Sequence, residues 1–173
     1  MSRRRGGGLY LGPLAAEGGL ELLLQALHLF PGARVDVVGT GPLEGRVREH
    51  PCARLLAAAD LERRLRSAAY LVVPAPADAQ ASAALRAFSR GVPVIAAREG
   101  ALAELVEPGR NGLLFEPGVA RDLARRLAFA EAFPERMRRM GECALADYRA
   151  RFVADSTWLS VHGERRRQPR AIN

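Results

Sequence analysis

The sequence contains no lysine: all 26 basic residues are arginine. That pattern follows the codon bias of a GC-rich gene and carries no function of its own. Only two cysteines occur, Cys52 and Cys143, and their spacing suits neither a metal nor a redox pair. Both read as reduced packing residues of a reducing compartment. No apolar run approaches the roughly 20 residues of a membrane-spanning helix. The opening Met-Ser-Arg-Arg-Arg-Gly-Gly-Gly lacks the apolar segment of a secretory signal, so a cytoplasmic location is the expectation. No Asp-x-Asp pair exists, and His28, His50 and His162 stand in no ligand or triad spacing. No metal and no cofactor are implied.

What is present suits one domain. A chain of 173 residues that is 49% hydrophobic buries a sizeable core. The net charge of +7 looks like a nucleic-acid signal, but its placement argues otherwise. Arg3, Arg4, Arg5, Arg165, Arg166, Arg167 and Arg170 lie at the two ends with one acid, Glu164, which leaves 19 arginines against 18 acids between them. The body is near neutral. The ends are solvated tails, with no specific nucleic-acid partner and at most peripheral, salt-dependent contact with a membrane. Residues 1–7 form an Arg/Gly-rich tail, 8–160 the folded domain and 161–173 a basic tail.

Periodicity orders the body as alternating strands and helices. Residues 8–12 read as a strand ending in a turn. Residues 18–29 read as an amphipathic helix, with Leu20, Leu23, Leu24 and Leu27 on one stripe. Strands follow over 34–38 and 54–57, and a central, β-branched one over 70–74. Between them come helices over 43–49 and 61–68. The stretch 78–116 then reads as helix (82–90), Gly-Val-Pro turn, buried strand (91–96), short helix (100–106), turn and short strand (113–115). Helices over 118–130 and 135–152 close the domain. In the first of these Leu123 and Leu127 face inward and Arg121, Arg125 and Arg126 outward. Asp155 or Ser156 caps a last segment through Trp158. This alternation predicts an α/β fold: a doubly wound, mostly parallel sheet with helices on both faces, Rossmann-like.

Gly91-Val92-Pro93-Val94-Ile95-Ala96, then Glu99-Gly100-Ala101-Leu102-Ala103-Glu104-Leu105-Val106, then Gly109-Arg110-Asn111-Gly112-Leu113-Leu114 resembles, in order and spacing, the C-terminal, donor-binding domain of GT-B glycosyltransferases of family 4. The turn Gly39-Thr40-Gly41-Pro42 after the second strand is similar to the same family. The resemblance covers about residues 8–160 and implies a single GT-B half, with no acceptor-binding N-terminal domain. It implies a nucleotide diphosphate sugar as the ligand and hexose transfer with retention.

The family's site residues carry over unevenly. The arginine and lysine that neutralise the diphosphate fall on Pro13 and Gly18, beside Gly12 and Glu17. Of its two glutamates eight apart, the first falls on Asp78, near the sugar hydroxyls. The second, which accepts from the ribose, falls on Arg86, which has five donors and no acceptor. Backbone amides at the start of the following helix, on Gln80, Ala81 and Ser82, remain as an anion site. Glu104 matches a further acid near the sugar, or is a helix-end acid satisfied locally. Gly39 and Gly41 approach the nucleotide, or form a plain tight turn. Two functions follow. One is the donor half of a hexosyltransferase that works only with a separate acceptor-domain chain. The other is a catalytically degenerate domain acting as an interaction or regulatory subunit. On either, the isolated chain binds nucleotide sugar weakly or not at all.

Overall fold

A computed structural model describes residues 6–75 and 78–153. The expected segment through Trp158 and His162 lie outside the described residues. Six strands form one sheet: β1 (Gly8–Leu11), β2 (Val35–Val38), β3 (Ala53–Leu56), β4 (Tyr70–Val73), β5 (Val94–Ala97) and β6 (Gly112–Phe115). Their order is β3-β2-β1-β4-β5-β6, and every neighbouring pair is parallel. The helices are α1 (Leu20–Leu29), α2 (Glu44–Glu49), α3 (Leu61–Ser67), α4 (Asp78–Ser89), α5 (Gly100–Leu105), α6 (Ala120–Ala132) and α7 (Pro134–Tyr148), the last running into a π-type turn at Arg149–Val153. This is the doubly wound α/β architecture expected from the pattern.

Alternation along each strand divides the core in two. Tyr10, Val37, Tyr70, Val72, Ile95 and Phe115 pack with α1 and α6 on one face. Leu9, Leu71, Val73, Val94, Ala96 and Leu114 pack with α3, α4 and α5 on the other. Strands buried on both sides must be apolar throughout, which is why β4 and β5 read as Tyr-Leu-Val-Val and Val-Ile-Ala-Ala. Gly8 sits opposite Tyr70 in register, and a Cβ there would lie 2.4 Å from the Tyr70 ring. The ring therefore fills the space beside Gly8, with its hydroxyl donating to Glu131 on α6 at 2.9 Å.

Boundaries shift for local reasons. The helix expected from residue 18 is a 3-10 turn (Ala16–Gly18) followed by α1, because Gly19 takes a left-handed φ of 71° between them. The helix expected from 82 begins at Asp78, since Asp-Ala-Gln-Ala contains no breaker. Arg126 is half-buried rather than outward. Its Nε is shielded without an acceptor among the described residues, and its Nη2 lies 3.8 Å from Asp122. Cys52 is buried in the core, and neither cysteine is bonded to the other.

The one buried carboxylate in the sheet is Asp36 on β2, 8% exposed. Arg54 of β3 donates to it bidentately at 2.9 and 3.0 Å, and Arg64 of α3 donates to it as well. Burial works to raise this carboxyl, but the hydrogen bonds from Arg54 and Arg64 prevail and hold it below the ordinary carboxylate range. The ionised form is the stabilised one. Its contribution is complete above the unfolded value near 4 and is lost as pH falls through the lower folded value. Asp36→Asn strands two guanidiniums. Urea denaturation at pH 7 is expected to show a loss of about 2–4 kcal/mol, at the lower part of the range for a broken buried pair because Arg54 is water-screened. Near pH 2 the difference between variant and parent should shrink towards zero.

Candidate functional site

In an open parallel sheet the chain reverses its winding where two neighbouring strands send their helices to opposite faces. Here that point is β1 and β4: α1 leaves β1 for one face and α4 leaves β4 for the other. The loops at the carboxyl ends of β1, β2, β4 and β5 rim the crevice above it. Gly12, Gly39, Gly41, Asp78 and Gln80 lie on or next to those loops, and Glu104 follows β5 on α5. The topology thus brings most of the residues singled out in the sequence to one edge of the sheet.

The first two loops are built against each other. Gly12 N–H donates to Val38 O at 3.1 Å, Leu14 N–H to Thr40 O at 2.9 Å, and Leu43 N–H to Leu14 O at 2.8 Å. A Cβ on Gly39 would lie 1.9 Å from the Gly12 carbonyl oxygen, and one on Gly41 would lie 2.5 Å from that of Leu14. On the side a Cβ would take, both glycines are therefore occupied by loop–loop contact.

The loop after β1 is closed from beneath. Tyr10 is fully buried, and its hydroxyl donates to Pro13 O at 2.6 Å, with Gly18 O also in reach at 3.2 Å. Burial drives its phenol well above the ordinary value, so it remains a donor. A Cβ on Gly18 would lie 2.3 Å from that hydroxyl oxygen and 2.4 Å from Pro13 O. Sequence reasoning missed Tyr10. Its signal was a polar tip on a strand residue that must be buried, which requires an acceptor.

On the other side of the crevice, α4 opens at Asp78, whose side chain is not among those described. Gln80 is 5% exposed, and both its Oε1 and Nε2 are shielded with no hydrogen-bond partner among the described residues. Its Nε2 lies 3.5 Å from the position a Cβ would take on Gly12. Because the helix starts early, Gln80 is the last residue whose N–H lacks an acceptor within it.

Arg86 is not in this group. It lies eight residues along α4 from Asp78, about 12 Å at the helical rise. It donates to Glu62 of α3 at 2.7 Å, and Arg90 donates to the same carboxylate at 3.2 Å. These hydrogen bonds, that of Arg86 foremost, hold the Glu62 carboxyl below its ordinary range. Glu104 stands exposed on α5. Among the described residues no group of His, Cys, Asp and Glu could hold a metal ion, and no helix is long and apolar enough to cross a membrane.

Residues 7–130 match the family described as glycosyl transferases group 1. The chain belongs to the group 1 glycosyltransferases. This glycosyltransferase domain is 30% identical over 128 residues to the sulfoquinovosyl transferase SQD2 of Arabidopsis thaliana, covering 69% of this chain and 25% of that protein. The fold is shared with sucrose-phosphate synthase of Thermosynechococcus elongatus at a TM-score of 0.80 and 24% identity, over 96% of this chain and 46% of that one. It is shared with Anabaena Alr3699/HepE, solved in complex with UDP and glucose, at a TM-score of 0.78 and 21% identity, over 92% of this chain and 48% of that one. The glycosyltransferase domain spans a quarter of the curated relative and just under half of the solved chains, and it has the architecture of the C-terminal half of a GT-B enzyme.

Proposed function

We propose that the crevice over β1 and β4 receives a nucleotide diphosphate sugar, and that hexose transfer from it, with retention, occurs only when an acceptor-binding half is docked over the same edge. The observation carrying this reading is Gln80: a buried amide with no partner among the described residues, against Gly12, where the sheet changes winding. An unsatisfied buried amide costs about 1–3 kcal/mol unless a ligand or water completes it. The diphosphate would meet the Gln80 Nε2 and the amides opening α4, the sugar hydroxyls would meet Asp78 and Glu104, and Gly12 would admit the ligand close to the backbone. HepE, of the same fold, is solved with UDP and glucose, which supports the ligand class.

The grip is weak. Pro13, Gly18 and Arg86 stand where the family places charged or ribose-accepting partners. Each charge-assisted hydrogen bond is worth about 1.5–3 kcal/mol, so three losses remove roughly 4–9 kcal/mol, or about three to six decades of affinity. Calorimetry of the isolated chain with UDP-glucose and other nucleotide sugars should give dissociation constants of about 1 mM or weaker. A micromolar constant would show that other donors replace the missing ones. No binding at 20 mM or above would remove the donor reading itself.

A second reading has its own observation. The Tyr10 hydroxyl ties Pro13 to Gly18 and fills the space a side chain at 18 would need. A loop rebuilt in this way suits a domain that keeps the scaffold and serves as an interaction or regulatory subunit. Co-purification of a partner followed by a sugar-transfer assay separates the two. Transfer by the pair, absent from either member alone, belongs to the first reading. A partner whose own transfer rate the chain merely alters belongs to the second.

A further inference from the structure

The opposite edge of the sheet carries a feature that the crevice does not use. Residues entering β1, β2 and β3 line a groove of about 680 Å³, bounded by Gly6, Gly7, Arg34, Cys52, Arg54 and Arg64, with Asp36 at its base. Two guanidiniums, Arg54 and Arg64, pair with the one carboxylate, Arg34 lines the same groove, and among the described residues the lining holds no other acid, so three positive charges meet one negative. One arginine would suffice to neutralise Asp36. Arg64 fits that role: its side chain is only 14% exposed, and it also donates to Ser67 Oγ and to the carbonyls of Gly6 and Gly8. Arg54 is different. Its side chain is 69% exposed, and its Nη1 has no partner among the described residues. Arg34 spends Nη1 on neutral acceptors, Pro51 O at 2.9 Å and the Cys52 sulfur at 3.4 Å, and has no acidic partner among the described residues.

We propose that this amino-edge groove binds a phosphate group, held between Arg34 and Arg54 with Arg64 and Asp36 fixing the Arg54 fork. Planar guanidiniums with open N–H pairs match phosphate oxygens bidentately, and the surplus charge supplies the attraction. The site is one strand length from the crevice, about 13 Å, so it does not depend on nucleotide binding there. The phosphate is either a free phosphate or phosphomonoester, or the headgroup of an anionic lipid.

The test is a titration of the full chain with sodium phosphate at constant ionic strength, followed by NMR on the arginine Nε–H signals and the amides of residues 6, 7, 34, 53 and 54. Constant ionic strength matters because exposed charges are screened over about 10 Å at 0.1 M salt. Saturable shifts confined to these residues are expected, and Arg34→Gln, which leaves the Asp36 pairs intact, should weaken binding about fivefold to tenfold. A parallel co-sedimentation with phosphatidylcholine vesicles, with and without phosphatidic acid, identifies the source. Retention only on phosphatidic acid, reduced in Arg34→Gln, assigns a lipid headgroup, and saturation by phosphate without retention assigns a free ligand. Shifts limited to residues 12–14, 39–43 and 80, no saturable shift with no retention, or an unchanged constant in Arg34→Gln overturns the proposal.

Discussion

Gly39→Ala is expected to lower stability by about 2–4 kcal/mol. The added methyl would lie 1.9 Å from the Gly12 carbonyl oxygen, and that obstacle is backbone, not a side chain that can rotate away. The two loops are also pinned together by Gly12 N–H to Val38 O and Leu14 N–H to Thr40 O. Separating them strains the turn, at about 1–3 kcal/mol or more for overpacking, and breaks at least one of these bonds, at about 1 kcal/mol more. For a domain of this length the midpoint of thermal unfolding should fall by on the order of 10 °C. Gly45→Ala is the control. A Cβ there meets nothing within 4 Å, and the change should be neutral or slightly stabilising. If Gly39→Ala unfolds within about 1 kcal/mol of the parent, the loop contact is not as drawn, and Gly39 is free to face a ligand.

The contrast between these two glycines marks what the sequence could and could not tell. Element types came through periodicity: the Leu20, Leu23, Leu24, Leu27 stripe is buried on α1, and the apolar run at 70–73 is the central β4. Those readings rest on neighbours one to four residues apart. Whether Gly39 serves a turn, a ligand or a second loop rests on Gly12, 27 positions away, and no local pattern reports it. The same limit explains Arg86. Its chemistry excluded a ribose acceptor, but only the packing of α3 beside α4 reveals that Glu62 holds it. The start of α4 was misplaced for a third reason. The start of a helix depends on where the preceding loop releases the chain, and Asp78 to Ala81 contains nothing to mark that point.

Gly18→Lys tests whether the proposed weak donor binding comes from one absent charge. If it were, returning the lysine would recover one charge-assisted contact and tighten nucleotide sugar binding roughly tenfold or more. The structure requires a different result. The new Cβ would lie within 2.4 Å of both the Tyr10 hydroxyl oxygen and the Pro13 carbonyl. The loop must open, which exposes the Tyr10 hydroxyl and the Pro13 and Gly18 carbonyls that now satisfy it. Overpacking together with a buried hydroxyl stripped of its acceptor gives an expected loss of about 3–5 kcal/mol, with no gain in affinity by calorimetry. Tyr10→Phe/Gly18→Lys removes one of the two obstructions and leaves the Pro13 carbonyl, so it should recover only part of the stability. A stable Gly18→Lys protein with a tenfold gain would instead place the defect in side-chain identity, on a loop still shaped for the diphosphate. Residue 18 and the loop are coupled through the Tyr10 hydroxyl and the Pro13 carbonyl, so a side chain at this position and the geometry of residues 10 to 18 cannot be altered separately.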